Sequence, residues 1–529
     1  MAKQTRSSSS PSPTLSRRSL FQAGAAAAAL AAGPSIQASE LTLGPSIYES
    51  IGVRPLINCK GTYTIISGSL TLPEVKRAMD EAGSHYVDLD ELMNAVGEQL
   101  ASLTQAPWGI VTAGCAAAMT HTTTACLAGG DPEKMQRLPN LRGMKSEVII
   151  PTYSRNVYDH AIRMLGVKIV QPNTAAECEA AFSERTAMVY ILAGPGDEGE
   201  LGTAAVSAMA KKWNVPVLVD AAAEMLTIPN IHLGRGATAV AYSGGKCLRG
   251  PQCAGLLLGD KNLLQAAWAN SAPHHAFGRS LKVGKEEIMG MLTAVQMWTR
   301  RDHKAEWNQW QGWLDYVSTR VTKVPGVTTH VNQPRSLSNH APSLIIHWDG
   351  RALNITGQEV YDTLLAGSPR VILERAHGTR PHDMENSAVG IMPYMMMPGD
   401  EKIAAEKLVA VLQNPPKFEN PPEPSGEPAN IDGQWTAEIE FLRGSGTHTL
   451  VFEQHGNKLV GTHFGEYLIG DLSGEVHGNL VKFHSRQHIQ GQELHYAFTG
   501  TVNGDSMEGP LSLGEYGPAR WSAKRHKYA

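Results

Sequence analysis

No stretch of this 529-residue sequence supplies the roughly 20 consecutive apolar residues that a membrane-crossing helix requires. The six cysteines, Cys59, Cys115, Cys126, Cys178, Cys247 and Cys253, contain no Cys-x-x-Cys pair, so the usual zinc spacing is missing. Nor is there a surplus of basic charge. Lys and Arg number 46 against 50 Asp and Glu, a net charge of −4, which leaves no electrostatic footprint for a nucleic acid. These absences exclude a membrane-inserted protein, a zinc-built fold and a nucleic-acid binder. What remains is a chain of ordinary globular composition, long enough for two or three domains.

The first residues read as an address. Lys3, Arg6, Arg17 and Arg18 precede an Ala-rich apolar stretch at 20–32, and Ile36-Gln37-Ala38 offers a small-residue cleavage site. The segment Ser16-Arg17-Arg18-Ser19-Leu20-Phe21 resembles a twin-arginine signal, so residues 1–38 are expected to direct export to the periplasm or beyond. A protein folded before export meets a reducing compartment first, and mostly free thiols are expected.

From residue 48 to 412, apolar runs at 109–113, 147–151, 188–192, 215–220 and 237–243 alternate with helix-like stretches at 116–128, 158–165 and 202–212. That alternation predicts an α/β domain with a largely parallel sheet. A long helical region at 285–321 follows, and after Pro325 the pattern changes to short strands ending in a helix at 401–413. The division expected is a large domain at 48–325, a small α+β domain at 326–414 and a proline-rich linker at 415–430. Residues 431–527 alternate apolar and polar positions, with turn signals at Gly456-Asn457 and Asn503-Gly504, and predict an antiparallel barrel or sandwich. Gly465-Glu466-Tyr467 and Gly514-Glu515-Tyr516 repeat within it.

Chemistry concentrates in Val217-Leu218-Val219-Asp220 and Tyr242-Ser243-Gly244-Gly245-Lys246. An acid at the carboxyl end of a buried strand sits where α/β sheets bind ligands. A lysine one crossover later, behind small residues that let backbone approach a phosphate, completes the parts a pyridoxal 5'-phosphate site needs. Lys246 is the Schiff-base candidate, and Asp220 the partner of the pyridinium nitrogen. Thr112-Ala113-Gly114-Cys115-Ala116 predicts a strand, a glycine turn and a helix start, whose amides suit a phosphate. Gly114, Cys115 and Ala116, with the Ser243 hydroxyl, form the expected cradle. Tyr153 is a candidate to stack on the ring, and Arg155, Arg279, Lys282 and Arg370 are candidates to anchor a substrate anion. His274-His275 lacks a third ligand, and no metal site is expected.

These residues carry a resemblance. Arg54-Pro55-Leu56-Ile57-Asn58 with Gly61-Thr62, Arg155-Asn156 with Tyr158-Asp159, Ser243-Gly244-Gly245-Lys246 with Gly250-Pro251-Gln252, and Gly278-Arg279 with Lys282-Val283-Gly284-Lys285 look like the selenocysteine-synthase-like branch of fold-type-I pyridoxal-phosphate enzymes. Within it the D-glucosaminate-6-phosphate ammonia lyase type is nearest. The resemblance implies a large cofactor domain, a small domain ending near residue 413, and an active site shared in a homodimer or larger homo-oligomer. It also implies a lyase acting on an amino acid or amino sugar acid by Cα deprotonation and β-elimination. A racemase, aldolase or aminotransferase would share the opening steps. An exported binding protein on the same scaffold is the competing class, against which Lys246 and Asp220 both count.

Overall fold

The computed structural model describes residues 41–420 and 426–527, so the leader at 1–38 and part of the 415–430 linker lie outside it. The chain divides into two compact units, Val53–Pro421 and a second one that contains the C-terminal strands.

After a short strand β1 (Leu56–Cys59), seven strands build the main sheet: β2 (Trp108–Thr112), β3 (Glu147–Ile149), β4 (Lys168–Val170), β5 (Thr186–Leu192), β6 (Val217–Asp220), β7 (Ala239–Ser243) and β8 (Gly255–Gly259). Their order is β2-β8-β7-β6-β5-β3-β4. The pairs from β4 through β7 run parallel, whereas β8 runs antiparallel to both neighbours. The expected parallel sheet is therefore present with one reversed strand inserted. Strands β2, β6 and β8 are buried throughout, as apolar runs covered on both faces must be. Helix α1 (Leu89–Thr104) packs on β2, and α2 (Gly114–Ala128) crosses the sheet almost wholly buried. Its Ala and Thr side chains permit this, because Thr122 and Thr123 donate their hydroxyls to the helix's own Ala118 and Met119 carbonyls.

The helical region expected at 285–321 is two helices, α3 (Lys285–Arg300) and α4 (His303–Val321). They separate at Asp302, whose carboxylate caps α4 by accepting the Ala305 amide at 2.9 Å. Beyond them, β9 (Thr328–Asn332), β10 (Ser343–Trp348), β11 (Arg370–Leu373), β12 (Arg375–His377) and β13 (Ser387–Ile391) form a smaller body with α5 (Gly357–Ala366) and α6 (Asp400–Gln413). Four of these strands make a sheet in the order β12-β13-β10-β9, and β11 pairs in parallel with β1. A second hydrophobic core joins Cys59 and the Leu314–Val317–Val321 stripe of α4 to Leu344, Ile346, Val389 and Leu408. The first strand and the end of α4 thus pack in the small body, although both precede residue 325.

The last eight strands are β14 (Gly433–Glu440), β15 (Ser445–His455), β16 (Lys458–Phe464), β17 (Ile469–His477), β18 (Leu480–Ile489), β19 (Gln492–Asn503), β20 (Ser506–Ser512) and β21 (Pro518–Arg525). Each pairs antiparallel with the next and β14 closes on β21, so the domain is a closed barrel rather than an open sandwich. Closure removes both sheet edges. The alternation seen in sequence is the inward face: Trp435, Phe452, Phe483, Phe498 and Trp521 fill the interior, with Phe483 and Phe498 stacked at 4.4 Å.

Candidate active site

The carboxyl ends of β6 and β7 and the start of α2 converge on one place. Asp220 ends β6 and is almost completely buried. A buried carboxylate must have its oxygens satisfied, and here both are. Oδ1 accepts the Ala222 amide at 3.0 Å and the Cys115 thiol at 3.5 Å. Oδ2 accepts the Tyr190 hydroxyl at 2.8 Å, and that hydroxyl in turn accepts Asn156 Nδ2 at 3.0 Å. Burial and the Asp220 charge push the Cys115 thiol well above its ordinary pKa, with Lys246 pulling the other way; all three groups are close enough to feel one another. Burial and Asp220 raise Tyr190 in the same manner. Both donors therefore keep their protons and point them at the carboxylate.

Ser243 ends β7, and the chain turns through Gly244 and Gly245 to a half-buried Lys246. The turn is pinned by Gly244 donating to the Ala254 carbonyl and Gly250 to that of Gly244, each at 2.8 Å. A Cβ on Gly245 would lie 2.9 Å from the Gln252 Cα, backbone that cannot swing aside, so glycine suits the position. Gly114 opens α2 with φ +83°, and Thr112 secures the turn by donating its hydroxyl to the Gly114 carbonyl at 2.8 Å. A Cβ on Gly255 would fall 2.4 Å from the Gly114 carbonyl carbon, so β8 holds the two turns against each other. The first-turn amides of Cys115 and Ala116 have no intrahelical acceptor to reach, which is the condition for binding an anion there.

Tyr153 leaves β3 half-buried; its hydroxyl donates to the Leu201 carbonyl at 3.0 Å, burial raises its pKa to about 12, and its ring lies against Gly196. The next residue, Ser154, accepts the Leu192 amide beside Asp220, so Tyr153 borders the site.

The expected anion anchors separate. Arg155 forms a buried ion pair with Asp159 at 2.5 Å, and Asp159 also holds Arg163 at 2.7 Å. Arg370 is likewise structural, donating to the Leu365 carbonyl at 3.0 Å and to that of Arg54 at 3.4 Å, where β11 meets the segment entering β1. Arg279 and Lys282 are exposed on the loop before α3.

Sequence reasoning missed Tyr190 and Asn156. A tyrosine inside the apolar run Met188–Leu192 was the available signal, because a buried hydroxyl needs a partner. It also missed a buried ion cluster behind β6. His232 Nε2 lies 2.6 Å from Glu224, and its Nδ1 lies 3.4 Å from Asp197. Among the described residues no cluster of His, Cys, Asp and Glu could hold a metal ion, and all six cysteines are free thiols.

No family model matches the chain. D-glucosaminate-6-phosphate ammonia lyase of Salmonella typhimurium is 24% identical over 383 residues, covering 70% of this chain and 99% of that protein. A Streptomyces 5'-C-glycyluridine monooxygenase-decarboxylase is 26% identical over 378 residues, 69% of this chain and 92% of that one. The solved structure of a D-glucosaminate-6-phosphate ammonia-lyase superposes with a TM-score of 0.61 at 24% identity, over 70% of this chain and 99% of the other. The first unit has the fold-type-I architecture of pyridoxal-phosphate enzymes, to which this chain adds a closed eight-stranded barrel.

Proposed function

We propose that this protein is a pyridoxal-phosphate-dependent lyase that removes the Cα proton of an amino acid or amino sugar acid and eliminates a β-substituent. The observation that carries this reading is the meeting of a fully hydrogen-bonded Asp220, the Lys246 turn and the Gly114 helix start at one sheet end. These residues fit the cofactor. The Cys115 and Ala116 amides with the Ser243 hydroxyl would hold its phosphate, the Lys246 amine its aldehyde carbon, and Asp220 its ring nitrogen.

When bound, pyridoxal phosphate supplies a conjugated ring that delocalises the electron pair left by a broken Cα bond. Asp220 keeps a proton on the ring nitrogen, and the donors on both its oxygens fix its orientation. Lys246, once its amine is free, takes the Cα proton and returns a proton to the departing β-group. Two similar proteins bear names that describe different bond cleavages, so substrate contacts outside this shared core would decide the reaction. Export through the leader and assembly into a homo-oligomer accompany the proposal. Subcellular fractionation and light scattering on purified protein test those two points.

Borohydride reduction of cofactor-saturated protein followed by peptide mapping should place the label on Lys246, and Lys246→Ala should abolish it. A label elsewhere, or none on wild type, would overturn the reading and favour a ligand-binding role. Ammonia and keto acid released from a panel of D- and L-amino acids and amino sugar acids would establish elimination. Racemised substrate, an aldehyde product or a requirement for a keto acid acceptor would instead indicate a racemase, an aldolase or an aminotransferase.

A further inference from the structure

The segments that border the proposed cofactor site are tied together at the buried ion cluster behind β6. One is the loop leaving β5. Its Gly196 lies against the Tyr153 ring and its Leu201 carbonyl accepts the Tyr153 hydroxyl at 3.0 Å, so whatever holds this loop holds Tyr153. Asp197 is the acid of that loop. Another segment is the chain leaving Asp220. Ala222 donates its amide to Asp220 Oδ1, and the Glu224 carbonyl two residues later accepts the Cys247 thiol at 3.1 Å, next to Lys246. The small body reaches the same stretch. Met225 donates its amide to the Leu337 carbonyl at 3.0 Å and Asn339 donates to that of Ala223 at 2.8 Å, one on each side of Glu224.

His232 joins Asp197 to Glu224. Its Nε2 lies 2.6 Å from Glu224 and its Nδ1 3.4 Å from Asp197, and all three residues are no more than 4% exposed. Its own backbone is fixed by Asn230, which accepts the His232 amide at 3.1 Å and donates Nδ2 to the Tyr242 hydroxyl of β7 at 2.7 Å. Arg235 also pairs with Asp197 at 3.5 Å, so two cations balance two carboxylates. The Tyr242 phenol and the Cys247 thiol, both kept protonated by burial, are the other titratable groups packed around the cluster. Taking ions out of water offsets most of their mutual attraction, so such a cluster is a poor way simply to stabilise a fold. Its geometry suits keeping two segments at a set separation.

The two arms of the cluster are unequal. Asp197 is also held by Thr203, whose amide donates to Oδ1 at 2.7 Å. Burial alone would raise the Asp197 pKa, but the facing His232 and the Thr203 donors leave it below its ordinary value, so it stays ionised. A carboxylate on each ring nitrogen calls for two N–H groups, which only the imidazolium has. A neutral ring keeps one, and the 2.6 Å contact to Glu224 claims it. Nδ1 then turns a lone pair toward the Asp197 carboxylate. Loss of the proton therefore releases the β5 loop together with Tyr153 and leaves the Asp220 side in place.

We propose that His232 is a positioning residue of the pyridoxal-phosphate site, its imidazolium holding the Tyr153 wall at a fixed separation from the chain that leaves Asp220. This rests on the cofactor reading given above and adds to it a residue that acts through Tyr153 and Asp220 rather than on the cofactor itself. Burial alone would lower the imidazole pKa, but the facing carboxylates carry it above 6.5. The clamp is then complete below the unfolded value of 6.5 and is released as pH rises through the higher folded value.

Absorbance titration of the full chain with pyridoxal phosphate tests it, at a temperature where wild type and variants are all folded by circular dichroism. His232→Gln and Asp197→Asn should each weaken cofactor binding about three- to tenfold near pH 6, less than the loss of a direct charged contact. The ratio to wild type should shrink toward one as the titration is repeated up to about pH 10. In the cofactor-free chain, the amides of residues 194–202 should exchange hydrogen faster in both variants than in wild type at the same pH. A lower Tm with unchanged cofactor affinity and unchanged exchange would make the cluster merely structural and overturn the proposal. A ratio that does not change with pH would also overturn it. Wild type that takes up no cofactor at any pH would overturn it together with the reading beneath it.

Discussion

Asp220 gathers more donors than an ordinary strand-end carboxylate needs, and the Tyr190 hydroxyl is the one that reaches Oδ2. Replacing Tyr190 with Phe leaves the ring in its buried place and removes only the O–H. A hydrogen bond to a charged group contributes about 1.5–3 kcal/mol. Tyr190→Phe should therefore weaken cofactor binding by about tenfold or more and move the pH midpoint of the visible cofactor band, both read by absorbance titration. Unchanged affinity and spectrum would show that Ala222 and Cys115 suffice. His232 offers a second residue-level test. Burial alone would lower its pKa, but the facing Asp197 and Glu224 carboxylates outweigh it and the net shift is upward. Its stabilisation is then complete below the unfolded value of 6.5 and is lost as pH rises through the higher folded value. The difference in Tm between wild type and His232→Gln should accordingly be largest below about pH 6.5 and shrink in alkali. The placement of Asp220 at a strand end and of Lys246 behind a glycine turn was legible because both are local patterns. Tyr190, Asn156 and the Asp197–His232–Glu224 cluster were not, because their partners meet only through strand register and loop packing. The ion pair of Arg155 was hidden for the same reason: its partner Asp159 lies four residues away, and nothing local said that the pair is buried.

At the scale of elements, a tight joint lies between α1 and β2. A Cβ on Gly97 would lie 2.2 Å from the Trp108 ring, closer than any real contact. Gly97→Ala should destabilise the first unit by about 1–3 kcal/mol, visible as a lower denaturant midpoint. An unchanged midpoint would mean that Trp108 can swing aside without cost. The same joint explains why β2 was easy to place, since its apolar run is followed at once by the glycine turn into α2. Strand β8 was overlooked: Leu256-Leu257-Leu258 between two glycines is too short to distinguish from a helix fragment, and nothing in it announces a reversed direction. The helix break at Arg301-Asp302 was equally hidden, because apolar spacing continues on both sides of it.

For the whole molecule, two units with separate hydrophobic cores should unfold as two calorimetric transitions. Trp435 is fully buried in the barrel, and its indole donates to the Ile431 carbonyl at 2.8 Å. Trp435→Ala should lower one transition by about 3–5 kcal/mol and leave the other in place. A single merged transition in both proteins would show the units to be coupled. The alternation that marks the barrel strands was plain in sequence, but closure was not, because it depends on β14 meeting β21 across the entire domain. One pairing in the first unit has a temporal implication. Leu56–Cys59 lies beside Arg370–Leu373, so this strand has a neighbour that is translated some three hundred codons later. The small body cannot be completed until that second strand has emerged, so its first strand waits unpaired while the large sheet is made.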